Sequence, residues 1–222
     1  MKKYYEAYNE RYKAVHEKGY EWSYSEPTSL ILDKLVQYKI NHNDKILEIG
    51  CGEGRDSIVL IKNGYNLKAT DISKEAIDYC INKYKNNTSF EVLDVFNNNN
   101  KEKYKVIFVV AVLHMFVIQD DRDAFFKFIH DHLEDDGIAI ILTMGGKDFI
   151  KIQTNPDDAF NIVERSKDDK KFNVTSTSCM TVSEEEFKTE LNNAKLKIYE
   201  MGYTSSGKDF ESILYAVVSK RN

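Results

Sequence analysis

The stretch that decides the fold reads Lys45-Ile46-Leu47-Glu48-Ile49-Gly50-Cys51-Gly52-Glu53-Gly54. Its first half is a short, mostly apolar run, and its second half has a glycine at every other position. Beyond it, Ile58, Leu60 and Ile61 follow at helical spacing until Gly64. An apolar strand that ends in glycines and continues as an amphipathic helix is typical of a β-turn-α unit. We therefore predict strand, tight turn and helix here.

The rest of the chain continues this alternation of strands and helices. Ser73 marks the start of one helix, and Asp120, Asp121 and Asp123 mark the start of another, which is expected to stop before Gly137. Ser183 with Glu186 forms a capping box for a third. Residues 106–110 are apolar at every position, as in a strand that helices cover on both faces. The strands are predicted at residues 45–49, 67–71, 90–93, 106–110, 138–142, 196–201 and 212–218. The pattern predicts an α/β fold, a three-layer α/β/α sandwich with a mostly parallel seven-stranded sheet.

Length and composition favour one domain over residues 1–222. The charged fraction is 30%, the net charge is −5, and neither sign forms a long block, which argues against a nucleic-acid partner. No stretch approaches the roughly 18 apolar residues of a membrane span, and no apolar signal core follows Met1. We expect a cytoplasmic protein with no membrane partner. Cys51, Cys80 and Cys179 lie far apart, so we expect free thiols and no metal site.

The glycine turn carries negative charge. Glu48 precedes the glycines and Glu53 lies among them, so the turn suits a cationic ligand better than a pyrophosphate. The dinucleotide fingerprint needs a third glycine where this chain has Arg55. Asp71 and Asp94 end the next two predicted strands, where carboxylates can accept hydrogen bonds from ribose hydroxyls and from an adenine amino group. These features disfavour an NAD-dependent oxidoreductase, which stays the main rival within this fold.

The run from Leu47 to Gly54, together with Asp71 and Asp94, resembles the class I S-adenosylmethionine-dependent methyltransferases over residues 40–220. The continuation Arg55-Asp56-Ser57 is similar to the tellurite-resistance and thiopurine branch, which acts on small molecules. The resemblance implies the sheet order 3-2-1-4-5-7-6 with strand 7 antiparallel. It also implies S-adenosylmethionine as the cofactor and S-adenosylhomocysteine as the product.

The same resemblance implies a role for each matching residue. The glycines would contact the methionine portion, Asp71 the ribose, Ile72 the adenine face, Asp94 with Val95 the adenine edge, and Val110 with Ala111 the sulfonium side. The expected cofactor residues are Glu48, Gly50, Cys51, Gly52, Gly54, Arg55, Asp71, Ile72, Asp94, Val95, Val110 and Ala111.

The acceptor site is less clearly marked. Residues 1–40 hold two helical stretches, the first rich in tyrosine, that either form a lid or simply pack on the domain. Residues 145–182 are too long for a simple connection, so we expect an insertion at the acceptor site. Trp22 is expected in the pocket or in the core. His114 is a candidate base or acceptor contact, with a structural histidine as the alternative. His130 and His132 are expected at the surface or flank of the following helix, and His16 shows no sign of a partner.

The expected activity is in-line methyl transfer to a small-molecule acceptor. Because the methyl donor is already activated, a dedicated catalytic residue is optional. A protein or RNA acceptor, and a non-catalytic module that binds S-adenosylmethionine, remain alternatives. The acceptor atom and the oligomeric state are not predicted.

Overall fold

The computed structural model describes residues 2–23, 26–85, 89–145, 150–167, 170–206 and 212–221. Apolar, β-branched segments form nine strands within these ranges. They are β1 (Ile46–Ile49), β2 (Leu67–Asp71), β3 (Phe90–Val92), β4 (Tyr104–Val110), β5 (Leu133–Thr143), β6 (Ile162–Lys167), β7 (Lys170–Thr175), β8 (Leu196–Thr204) and β9 (Ile213–Lys220). The helices are α1 (Ala7–His16), α2 (Ser29–Gln37), α3 (Arg55–Lys62), α4 (Lys74–Lys83), α5 (Gln119–His132) and α6 (Glu184–Asn193).

Seven strands form the central sheet in the order β3-β2-β1-β4-β5-β9-β8. The first five pair in parallel, and β9 is antiparallel to both of its neighbours. This confirms the predicted α/β fold class and strand order. The last two strands are numbered 8 and 9 because the hairpin β6–β7 precedes them. It forms a separate two-stranded sheet.

Helices cover both faces of this sheet because its strands are apolar on both faces. Along β4, Ile107 and Val109 join one buried cluster, whereas Val106, Phe108 and Val110 join the other. Every one of these side chains is buried, as predicted for a central strand.

The helix starts that were predicted from capping residues are confirmed. The Ser73 hydroxyl accepts the Ala76 N–H at the start of α4. Ser183 and Glu186 form both hydrogen bonds of a capping box at the start of α6. Among the described residues, no helix is both long and apolar enough to cross a bilayer.

One helix ends earlier than predicted, and the insertion contains a hairpin that was not predicted. Helix α5 ends at His132 rather than just before Gly137, because the chain already pairs with β4 at Leu133. A Cβ at Gly137 would lie 2.9 Å from the Lys105 carbonyl oxygen, so the two backbones are close there. The long polar insertion contains the hairpin β6–β7, whose buried Phe172 and Val174 pack against the helix α1. Neither feature follows from local sequence alone.

Candidate functional site

A cavity of about 490 Å³ opens at the carboxyl ends of β1, β2 and β4. The strand order reverses between β1 and β4, and ligands of open α/β sheets bind outside the strand ends at such a point. The glycine turn after β1, the N-terminal segment (residues 5–23) and the insertion all contribute residues to the cavity wall.

The glycine turn is held to the end of β2. The backbone N–H groups of Gly50 and Cys51 both donate to the Thr70 carbonyl, at 2.7 and 2.8 Å. Gly50 has a φ of +78°, and a Cβ there would lie 2.1 Å from the Cγ2 atom of Val112. Glycine is therefore required at position 50 both by backbone conformation and by close packing.

Asp71 lies at the end of β2 and reaches the same turn. Its carboxylate accepts the Gly52 N–H at 2.9 Å and the Ser73 N–H at 2.8 Å. Burial raises the pKa of Asp71, although these backbone hydrogen bonds oppose the rise. The side chain lines the cavity, so its carboxylate is positioned to accept further hydrogen bonds from a ligand.

Glu48 does not supply the negative charge expected of it. It is buried and accepts a hydrogen bond from the Ser57 hydroxyl. Burial, with the nearby charge of Asp56, raises the pKa of Glu48 to about 8, so the carboxyl group is mostly neutral at neutral pH.

Glu53 uses its charge within the protein. Its carboxylate accepts the Trp22 N–H at 2.7 Å and the Ser23 N–H at 2.6 Å, and it contacts His16 Nε2 at 2.9 Å. The other nitrogen of this histidine lies 3.0 Å from Glu75. Glu53 therefore holds the N-terminal segment against the turn, and its attraction for a cationic ligand stays a prediction. The sequence showed no partner for His16, whereas its ring contacts both Glu53 and Glu75 in the structure.

Most of the expected cofactor residues lie on the cavity wall. Those that do are Glu48, Gly50, Cys51, Gly52, Arg55, Asp71, Ile72, Val95, Val110 and Ala111. Gly54 and Asp94 are absent from the described wall. Gly54 faces Tyr84 and Cys80, and Asp94 accepts the Phe96 N–H at 2.9 Å. The roles expected of Gly54 and Asp94 stay predictions.

Residues 46–137 match the family described as a methyltransferase domain. The match covers less than half of the chain and includes the glycine turn, Asp71 and Asp94. The matched residues extend from β1 to the start of β5.

Two proteins that are similar to this chain are described as methyltransferases. The probable S-adenosyl-L-methionine-dependent methyltransferase TehB of Haemophilus influenzae is 29% identical over 119 residues, which cover 52% of this chain and 41% of TehB. The chain thus matches less than half the length of that relative. The CcbJ methyltransferase of Streptomyces caelestis is 14% identical with a TM-score of 0.72, over 98% of this chain and 99% of CcbJ.

A second similar structure contains ligands. The 1,6-didemethyltoxoflavin-N1-methyltransferase of Burkholderia thailandensis, solved with 1,6-didemethyltoxoflavin and S-adenosylhomocysteine, is 14% identical with a TM-score of 0.66. The alignment covers 95% of this chain and 85% of that one. At such identities the two structures show the shared fold.

The cavity fits S-adenosylmethionine, the cofactor that the resemblance implies. The buried Asp71 offers carboxylate oxygens at the end of β2, where a ribose would need acceptors. Ile72, Leu93, Val95 and Phe96 form an apolar wall beside it that suits an adenine ring. The volume is within the range of small-molecule sites.

Trp22 and His114, which were expected to contact the acceptor, both line the cavity. Trp22 lines the cavity and also packs with Val15 and the insertion, so both interpretations of this side chain describe its position. His114 lies on the cavity wall in a 3-10 turn and is buried. Burial, reinforced by the charges of Arg122 and Arg11, lowers the pKa of His114 to about 4. Its ring is therefore neutral at neutral pH.

Sequence reasoning missed several residues of the cavity wall. Arg11 and Tyr5 come from the N-terminal segment, and Arg165 and Ser178 come from the insertion. The first helical stretch was noted as rich in tyrosine, but Arg11 carried no separate signal.

His132 is not a surface residue, contrary to expectation. It is buried, and its two ring nitrogens lie 2.9 Å from the Phe128 carbonyl and 2.8 Å from the Asn100 carbonyl. It has a structural position at the opposite end of β4. Asn86, Asn87 and residues 146–149 lie outside the described residues. Within the described ranges, no group of three or more His, Cys, Asp or Glu residues could hold a metal ion.

Proposed function

We propose that this domain transfers a methyl group from S-adenosylmethionine to a small-molecule acceptor by in-line displacement, with S-adenosylhomocysteine as the other product. One observation carries the proposal. A single cavity extends from the glycine turn and Asp71 to a second wall formed by residues 5–23 and by the insertion. It therefore has space for a cofactor and for an acceptor next to it.

The cofactor end would work through a few fixed groups. Asp71 would hold the ribose hydroxyls, and Ile72 with Val95 would contact adenine. Gly50 and Gly52 allow the backbone to approach the methionine portion. Ala111, which is held at a φ of +56°, would line the sulfonium side with Val110. A non-glycine residue in this conformation is strained, and such strain is concentrated at functional sites.

The N-terminal segment and the insertion cover the part of the cavity proposed for the acceptor. This cover favours a small-molecule acceptor. The helix α1 and Trp22 lie over the glycine turn through the contacts of Glu53. The insertion is fixed to the opposite side, where the Met180 N–H donates to the His114 carbonyl at 2.7 Å. A nucleic-acid duplex or a folded protein surface would need an open cleft instead.

Methyl transfer from an activated donor requires little of the protein beyond orienting the acceptor. When bound, S-adenosylmethionine supplies the activated methyl group. The walls of the cavity orient the acceptor and exclude water, which can account for several kcal/mol of the barrier. His114 would be a neutral hydrogen-bonding contact rather than a strong base, because its pKa of about 4 is far below neutral pH. An amine, a thiolate or an anion is therefore the favoured nucleophile.

The three cysteines are free thiols in the structure. They fit a reducing compartment, and we propose a cytoplasmic location.

The first test is cofactor binding by isothermal titration calorimetry. We expect saturable binding of S-adenosylmethionine and much weaker binding of NAD. Asp71→Ala should weaken binding about 100-fold, since each hydrogen bond to a charged group contributes about 1.5–3 kcal/mol. The control is Asp78→Ala, an exposed carboxylate on α4, which should bind as the wild type does. Wild-type affinity in Asp71→Ala would refute the placement of the cofactor.

A second assay separates an enzyme from a sensor. Radiolabelled S-adenosylmethionine is incubated with the protein and with fractionated cell extract, and the labelled fraction is identified. Label in the small-molecule fraction supports the proposal. Label in the protein or RNA fraction would replace the proposed acceptor class, and binding without any transfer would indicate a non-catalytic module.

A further inference from the structure

Arg11 is a buried cation that faces the cavity. The residue is 5% exposed and forms part of the cavity wall. Its Nε donates to the Thr175 carbonyl at 2.9 Å, and its guanidinium lies over the rings of Trp22 and Tyr8, at 4.7 and 5.0 Å from their centroids. In the described part of the chain, no carboxylate lies within ion-pairing distance of it. Carbonyl and ring contacts compensate only part of the cost of burying a charge.

The carboxylates that line the cavity already have other hydrogen-bond partners. Glu53 is bonded to His16 and to two backbone N–H groups, and Asp56 accepts from Arg55 at 2.9 Å. Asp71 accepts the backbone N–H groups of Gly52 and Ser73. None of these groups can neutralise Arg11 without breaking contacts that shape the cofactor end.

The surroundings of Arg11 add positive charge and hydrogen-bond donors. Arg165 also lines the cavity, and its charge acts on Arg11. Ser178 lies on the same wall, and its buried hydroxyl has no hydrogen-bond partner among the residues that the structure describes. Because a second cation raises the cost of the first, this end of the cavity is built to receive a negative group.

We infer that Arg11, with Arg165 beside it and Ser178 on the same wall, forms a carboxylate-binding subsite, and that the methyl acceptor is a carboxylic acid. The inference rests on the proposed function. The planar guanidinium matches a carboxylate with two parallel hydrogen bonds. The aromatic rings of Tyr8 and Trp22 beside it suit a planar or aromatic acid.

We assign the carboxylate to the acceptor because Arg11 contacts β7 of the insertion, the segment expected at the acceptor site, and because its charge helps to lower the pKa of His114. The methionine portion of the cofactor also carries a carboxylate, so the experiment must separate the two sources.

The test measures ligand binding to the protein loaded with S-adenosylhomocysteine. Three probes, benzoate, 3-phenylpropanoate and indole-3-acetate, are each compared with the corresponding carboxamide by calorimetry. At least one acid should bind about tenfold more tightly than its amide. Arg11→Gln should abolish this preference, and Arg11→Lys should keep part of it, since an ammonium group lacks the planar fork. Arg221→Gln, an exposed control at the end of the chain, should keep all of it.

The outcomes distinguish this inference from the proposed function. Arg11→Gln should bind S-adenosylmethionine within about threefold of the wild type, since the inference assigns Arg11 to the acceptor. If its affinity for S-adenosylmethionine falls about tenfold or more while decarboxylated S-adenosylmethionine binds both proteins equally, the carboxylate is that of the cofactor and the inference fails. The inference also fails if the wild type binds each acid no more tightly than the corresponding amide. This comparison uses only the wild type and does not depend on any change in cofactor binding. Failure of the wild type to bind S-adenosylmethionine would instead refute the proposed function.

Discussion

Arg122 fixes the turn that carries His114, and its removal should be costly. The side chain is fully buried on α5 and forms a two-pronged ion pair with Glu190 on α6, at 2.5 and 2.8 Å. Its remaining nitrogen donates to the Leu113 and Phe116 carbonyls, at 2.8 and 3.0 Å. One guanidinium therefore joins two helices and the 3-10 turn on the cavity wall.

The magnitude follows from what the substitution leaves behind. Arg122→Met keeps most of the volume but leaves the Glu190 carboxylate, only 10% exposed, without its counter-charge. Breaking one side of a buried pair costs about 3–5 kcal/mol of the free energy of unfolding. The double variant Arg122→Met with Glu190→Leu should lose less than Arg122→Met alone, because no uncompensated charge remains.

Urea unfolding at neutral pH, followed by circular dichroism, measures these differences. The slope of the free energy against urea should stay unchanged, since the surface exposed on unfolding is similar. Lys127→Met removes an exposed ion pair with Asp131 on the same helix and should change stability by less than about 0.5 kcal/mol. A loss below about 1 kcal/mol in Arg122→Met, or a double variant less stable than the single one, would refute the reasoning.

Two further substitutions test the glycine turn and its contact with the N-terminal segment. Gly50→Ala should destabilise the fold and weaken cofactor binding, because its Cβ would meet Val112 at 2.1 Å, whereas Gly19→Ala has the same sign of φ and no atom within 4 Å. Calorimetry and urea unfolding should separate them by about 1–3 kcal/mol, and equal losses would show that backbone strain alone matters. Burial lowers the pKa of His16, but its hydrogen bonds to Glu53 and a second carboxylate prevail and raise it. The stabilisation is therefore complete below the unfolded pKa of about 6.5 and is lost as pH rises through the raised folded pKa, so His16→Gln should cost more stability at about pH 6 than at about pH 9. A loss independent of pH would contradict this.

The sequence is most informative where the structure depends on neighbours along the chain. The caps at Ser73 and Ser183 need only the next three residues, and both predicted helix starts are confirmed. The end of α5 was misplaced because pairing of Leu133 with Tyr104, a tertiary contact, starts β5 before Gly137. The α/β fold class could be predicted because hydrophobic periodicity records burial on each face of every strand.

The residues of the candidate site also differ in whether local sequence alone identifies them. Asp71 and the glycines could be predicted because both follow strands of a parallel sheet, whose ends meet at one edge. The contact of Arg11 with Thr175 joins residues 164 positions apart, and that of His16 with Glu53 joins residues 37 apart. No local pattern encodes such pairs, so the engagement of Glu53 and the subsite at Arg11 could be found only in three dimensions.

The hairpin β6–β7 forms a two-stranded sheet of its own and shares no pairing with the central sheet. Two of the contacts that fix the insertion use its main chain, the Thr175 carbonyl bound by Arg11 and the Met180 N–H bound to the His114 carbonyl. Main-chain groups are the same whatever side chains the insertion carries. Side chains such as Arg165 and Ser178 can therefore be exchanged while these two contacts persist. The wall that would select the acceptor is thus open to redesign independently of the sheet that would hold the cofactor.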